Sequence, residues 1–277
     1  MDFDVRRFSI EVTRPTEAEV KSLTEFLPPG TSVYFSAVPT VTPKELVSGA
    51  ALLRKGGLEP VIHIAARRIL TVANLQNLIA ALRAEADVRR LLVIGGESDT
   101  PGDFFDALAV IQKGRLREAG IEEIGIAGYP EGHASIPSDK IENALDQKIA
   151  AARAAGLRVH IASQFSFSSD AIVAWLKRLR ACGISLPVRV GMAGPTKLTS
   201  LLKFAKRCGV STSIRGLASG VGAALIGNVG PDDILAALSA ADGIGETAPH
   251  YFSFGGVMQT AEYANAMAQK ASVGAVA

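Results

Sequence analysis

The sequence predicts an α/β protein, a (β/α)8 TIM barrel built as one domain over residues 1–277. Three observations predict it. Helical stretches end repeatedly in glycine followed by an aliphatic residue, at Gly57-Leu58, Gly120-Ile121, Gly156-Leu157, Gly183-Ile184 and Gly209-Val210. Glycine just past a helix end supplies the left-handed backbone that caps the last carbonyls. A short β-like run follows each cap, and the intervals leave room for a strand, a loop and a helix, the repeat of a parallel sheet. The first strand ends in Glu11-Val12-Thr13-Arg14-Pro15 without a glycine-rich loop, which sets aside an open dinucleotide-binding sheet.

Eight strands are expected: 7–13, 32–38, 60–66, 90–96, 123–129, 158–165, 187–194 and 246–254. The segments between them carry apolar residues at helical spacing, as in Ile172-Trp175-Leu176-Leu179. A last helix is expected near 258–267. The stretch 211–245 is too long for one crossover helix and reads as a helical insertion before strand eight, broken around Gly227 to Pro231. Its glycines Gly216, Gly220 and Gly222 do not make a dinucleotide fingerprint.

Composition narrows the function classes. The 277 residues are 48% hydrophobic and 20% charged, enough for a large core. Lys and Arg total 29 against 27 Asp and Glu, spread without a block, so neither nucleic acid nor a membrane surface is expected as a partner. The Met1-Asp2-Phe3-Asp4 start lacks an apolar leader pattern, and a cytoplasmic protein is expected. Cys182 and Cys208 have neither disulfide nor metal spacing and are expected as buried reduced thiols. A homo-oligomer is compatible with such a barrel, without an interface signature.

Catalytic residues of such barrels come from the C-terminal ends of the strands. Those ends offer Glu11, Ser36, His63, Gly95-Gly96-Glu97, Tyr129-Pro130-Glu131-Gly132-His133, Gln164, Gly191 to Gly194, and His250-Tyr251-Phe252. Side chains two apart share a face, so Ser9, Gly95, Ala127 and Ala162 would lie beneath Glu11, Glu97, Tyr129 and Gln164. Small residues there either leave room for a flat ligand or offset large neighbours; the ligand reading is the one carried forward. Glu11 stands in an apolar strand, where desolvation raises a carboxyl pKa and suits a general acid; the alternative is an edge residue paired with a surface arginine, Arg14 being one candidate. Gln164 offers a donor and an acceptor together, suited to an amide-like ring edge. No lysine ends a strand, so Schiff-base chemistry is not expected. His63, His133, His160 and His250 are scattered singly, and no metal site is expected; His160, at a strand start, reads as structural or partly exposed.

At these strand ends the sequence resembles the methylenetetrahydrofolate reductase family. Ile126-Ala127-Gly128-Tyr129-Pro130-Glu131-Gly132-His133 is similar to that family's strand-five signature almost residue for residue. Phe8-Ser9-Ile10-Glu11, the His63 segment, Ser163-Gln164-Phe165-Ser166-Phe167, Gly191 to Pro195 and His250 support it by order and spacing. The resemblance implies hydride transfer interconverting 5,10-methylenetetrahydrofolate and 5-methyltetrahydrofolate with NADH or NADPH through bound FAD. It implies Glu11 as acid, Glu97 as a catalytic and substrate-facing carboxylate, and Gln164 and Phe167 as substrate contacts. Ser36, His63, Gly96, Tyr129 and His133 are implied as cofactor contacts. Two departures stand out. The family's Arg-Gly-Asp after strand four is Gly95-Gly96-Glu97 here, and its Leu-Asn-Arg after strand eight is Phe254-Gly255-Gly256. Each removes a cation, which motivates a flavin-free alternative with direct hydride transfer, beside a related enzyme acting on another tetrahydropterin carrier. Lys148 is not equated with the family's lysine, because its helix is about one turn longer.

Overall fold

The computed structural model describes residues 2–98, 102–201 and 228–274. The eight expected strands form: β1 (Ser9–Val12), β2 (Ser32–Phe35), β3 (Glu59–Ala65), β4 (Arg90–Ile94), β5 (Glu123–Gly128), β6 (Arg158–Ser163), β7 (Val188–Ala193) and β10 (Thr247–Phe252). They close a barrel in the order β1-β10-β7-β6-β5-β4-β3-β2, so the expected TIM barrel is the observed fold. Between them run α1 (Glu17–Phe26), α2 (Pro43–Lys55), α3 (Val72–Ala86), α4 (Ala107–Lys113), α5 (Ser138–Ala154) and α6 (Ser169–Ala181). Then follow α7 (Asp232–Ala240) and α8 (Val257–Gly274), the last longer than its expected 258–267.

Local chemistry explains the helix boundaries. Thr16 with Glu19, and Thr42 with Glu45, form capping boxes, and Pro43 opens α2 with its φ already helical. Thr71, Asp106 and Ser168 cap α3, α4 and α6 by accepting a backbone N–H. After α2, α5 and α6, Gly57, Gly156 and Gly183 hold positive φ, as the glycine punctuation requires, whereas Gly120, also at positive φ, closes a turn beyond the α4 cap Gly114. Gly209 lies outside the described residues.

The chain forms two compact units. One gathers the described residues of Met1–Ile10, Gly128–Ile141 and Ala162–Ala277, the other Glu11–Ala127 and Glu142–Ile161. In the second unit β2, β3, β4 and β5 pair in parallel, with Tyr34 opposite Val61, His63 opposite Leu92, and Leu92 opposite Gly125. Leu23, Leu53, Leu75 and Leu82 of its helices and Val33, Phe35, Ile62 and Val93 of its strands are all fully buried. In the first unit β10 pairs with β7, His250 opposite Gly191. Ile172, Leu176, Val190, Ile244 and Tyr251 form part of its core.

Two features differ from expectation. Residues 211–227 of the expected insertion lie outside the described ones. The remainder brings β9 (Asn228–Val229), which pairs antiparallel with β8 (Thr196–Lys197), and then α7. Strands of two residues carry no periodicity, so the sequence could not announce them. Cys182 is exposed rather than buried, because it is the C-cap residue of α6, where the chain turns toward solvent. Cys208 is outside the described residues.

Candidate active site

In the second unit the Glu11 side chain ends β1 only 16% exposed. Ser36, just past β2, donates its hydroxyl to Glu11 Oε1. His63 of β3, itself buried, brings Nε2 to 3.7 Å from Glu11 Oε2. Arg14 does not pair with Glu11. Its φ of 55° turns it away, and its guanidinium meets Glu45 at 3.3 Å and the Thr40 carbonyl. Glu11, Ser36 and His63 form one cluster.

The strand-four end is arranged differently. β4 stops at Ile94, and Gly96 adopts φ +71°, so alternation breaks before Glu97. A Cβ on Gly96 would lie 2.7 Å from Ala65 Cβ, so this glycine is required by the close approach of β3 and by its backbone. Arg68, after β3, donates to the Glu97 and Ala37 carbonyls. Burial lowers the Arg68 pKa, and the Glu97 charge opposes that. Sequence reasoning missed Arg68, since it lies past the strand end in a short 3-10 turn (Ala66–Arg68). Lys148 of α5 is buried; burial lowers its pKa, and Asp106 offsets part of that.

In the first unit the strand-five signature folds back on itself. Gly132, at φ +75°, donates to the Tyr129 carbonyl, closing a turn that sets His133 edge-on to Tyr129 at 5.5 Å. Burial raises the Tyr129 pKa. His133 Nδ1 accepts from Ser135 N at 3.3 Å. Glu131 accepts the Ser166 hydroxyl at 2.5 Å, tying this signature to the loop after β6. The Gln164 backbone N–H extends the β5–β6 ladder to Gly128 O at 2.8 Å. Its half-buried side-chain amide makes no hydrogen bond among the described residues, so its donor and acceptor stay available. Phe167 packs on Phe165, which also meets Phe252 and Phe254 at 5.5 and 4.9 Å. This aromatic cluster is assembled from two distant segments, so the sequence names its members without showing that they meet. His250 Nδ1 lies 3.0 Å from the Ser9 hydroxyl.

Among the described residues no group of three or more His, Cys, Asp or Glu is placed to hold a metal. None of their helices is long and apolar enough to cross a membrane.

The sequence model of the family described as Methylenetetrahydrofolate reductase matches residues 11–214, from the Glu11 strand end through every strand end just described but the last. The chain belongs to the methylenetetrahydrofolate reductase family. A curated relative, methylenetetrahydrofolate reductase 1 of Schizosaccharomyces pombe, is 33% identical over 88 residues. That match covers 31% of this chain and 14% of the relative's length. Among solved structures, a dihydropteroate synthase from Coxiella burnetii in complex with pteroic acid is similar at TM-score 0.50 and 10% identity, covering 95% of this chain and 92% of that one. The dihydropteroate synthase of Thermus thermophilus gives TM-score 0.51 at 13% identity, over 97% and 93%. At such identities these two likenesses speak to the barrel alone.

Proposed function

We propose that the protein interconverts 5,10-methylenetetrahydrofolate and 5-methyltetrahydrofolate, with NADH or NADPH as the hydride partner. The observation that carries this is the partly buried Glu11 carboxyl of a family member, bonded by Ser36 beside His63. In the reducing direction Glu11 gives its proton to a nitrogen of the folate's five-membered ring. That ring opens to an iminium, which accepts the hydride as the methyl group forms. Ser36 holds the carboxyl in place, and His63 supplies a neighbour able to share its charge. The Gln164 amide reads the pterin edge, with Phe167 stacking beside it, and Glu97 adds a second carboxylate to the substrate contacts. We propose residues 1–277 as a single catalytic domain, acting on small molecules in the cytoplasm.

FAD, when bound, would take hydride from the nicotinamide and pass it to the folate. Within the first unit, the edge-on Tyr129–His133 pair suits contact with its ring. Ser36 and Gly96 are already engaged, one with Glu11 and the other against Ala65. Arg68 is matched to the Glu97 and Ala37 carbonyls, and the β10 end carries Phe254-Gly255-Gly256, without a cation. These observations favour a second reading, in which hydride passes directly between nicotinamide and folate.

The experiment is the visible absorbance of freshly purified protein together with NAD(P)H-dependent reduction of methylenetetrahydrofolate. A flavin band with activity supports the FAD route. Activity with no flavin band and no gain from added FAD supports direct transfer. No folate turnover with either nucleotide, with or without FAD, overturns the proposal.

A further inference from the structure

A column of polar rings lies behind Glu11, all of it within the second unit. Tyr34 on β2 and His160 on β6 are 1% and 4% exposed, and the Tyr34 hydroxyl stands 2.7 Å from His160 Nε2. His160 Nδ1 lies 2.8 Å from Glu123 Oε1. An ionised carboxylate only accepts, so Nδ1 carries the proton; Nε2 accepts the Tyr34 hydroxyl when the ring is neutral and donates to its oxygen when the ring is charged. Glu123 also faces Arg158 at 3.3 Å and Arg90 at 3.7 Å. The Tyr34 ring meets His63 edge-on at 6.1 Å and 80°. His63 in turn faces Glu11.

Packing shows that room is kept for this column. Interiors of such barrels favour branched aliphatic side chains, and buried polar groups cost free energy unless hydrogen-bonded. A Cβ on Gly125 would lie 2.6 Å from His160 Nε2. Gly125 has no positive φ, so the glycine is required by the imidazole and not by the backbone.

We propose that His160 is a positioning residue for the acid site: through Tyr34 it fixes the plane of the His63 ring, and so the way His63 meets Glu11. The catalytic consequence rests on the proposed role of Glu11. Groups among the described residues that face this column from its unit include Glu11, Ser36, His63, Arg90, Glu123 and Arg158.

The test uses the ligand-free full-length protein with isotope-labelled histidine, following the His63 ring nitrogens by NMR across pH. Tyr34→Phe and Gly125→Ala both break the Tyr34–His160 contact and should both move the His63 signals. In turnover, kcat should fall by up to about 100-fold, the scale of a misplaced catalytic group, with the Kd for NAD(P)H unchanged. His160→Gln, whose amide can still bridge Glu123 and Tyr34, should recover much of what His160→Ala loses. Tyr34→Phe deletes a single oxygen, so it remains informative if Gly125→Ala does not fold. Unchanged His63 signals in folded Tyr34→Phe overturn the proposal. Shifted signals in a protein without folate turnover support the coupling and overturn only the catalytic reading of Glu11.

Discussion

Glu123→Gln should uncover an acid-sensitive share of the stability. Burial alone would raise the Glu123 pKa, but the His160 hydrogen bond and then the charges of His160, Arg90 and Arg158 bring it down to about 2. An ordinary glutamate titrates near 4.3, and each unit is worth about 1.4 kcal/mol, so the environment favours the ionised form by about 3 kcal/mol. The Glu123 side chain is 17% exposed and Arg158 64%, so solvent screening trims this to about 2 kcal/mol. A carboxyl whose folded pKa is depressed stabilises the fold above its unfolded pKa and loses that contribution as pH falls through the folded one. Glutamine keeps the oxygen that accepts from His160 and removes only the charge. Urea unfolding of parent and variant should therefore differ by about 2 kcal/mol at pH 7, with the gap closing between about pH 4.3 and pH 2. A gap that is the same at every pH, or absent at pH 7, refutes the ion-pair reasoning.

Two further substitutions probe the frame. Gly96→Ala combines positive φ with a Cβ 2.7 Å from Ala65 Cβ, and should cost about 1–3 kcal/mol, read as a lowered Tm; an unchanged Tm would mean that the β4 turn relaxes freely. Thr42→Ala removes the hydroxyl of the α2 capping box and should cost about 1 kcal/mol in urea unfolding, and no loss would mean that Pro43 alone starts the helix.

The barrel is legible in the sequence because buried parallel strands are short apolar runs, and several helices are followed by a glycine at positive φ, as after α2, α5 and α6. The expected strand 90–96 runs two residues too long, since Gly95 and Gly96 already turn the chain away from the ladder. Glu11 can be singled out as a carboxylate in an apolar strand. Ser36 and His63 can be named as strand ends, but their meeting with Glu11 cannot, because they arrive from other strands and nothing local to them marks it. From the sequence His160 reads as structural or partly exposed; it is fully enclosed, and Tyr34, 126 residues away in sequence, completes its hydrogen bonding. The Phe165, Phe167, Phe252 and Phe254 cluster is hidden for the same reason, since ring contacts form only once β6 and β10 are folded.

Glu11→Gln tests the central claim most directly. Glutamine keeps the shape of the side chain and its contact with Ser36, and removes the proton to be given. The account predicts a fall of at least about 100-fold in the rate of methylenetetrahydrofolate reduction, the usual worth of a general acid. Binding of NADH or NADPH, read by nicotinamide fluorescence, should match the parent. Folate reduction at the parent rate, or loss of nucleotide binding in step with turnover, would contradict Glu11 as the acid.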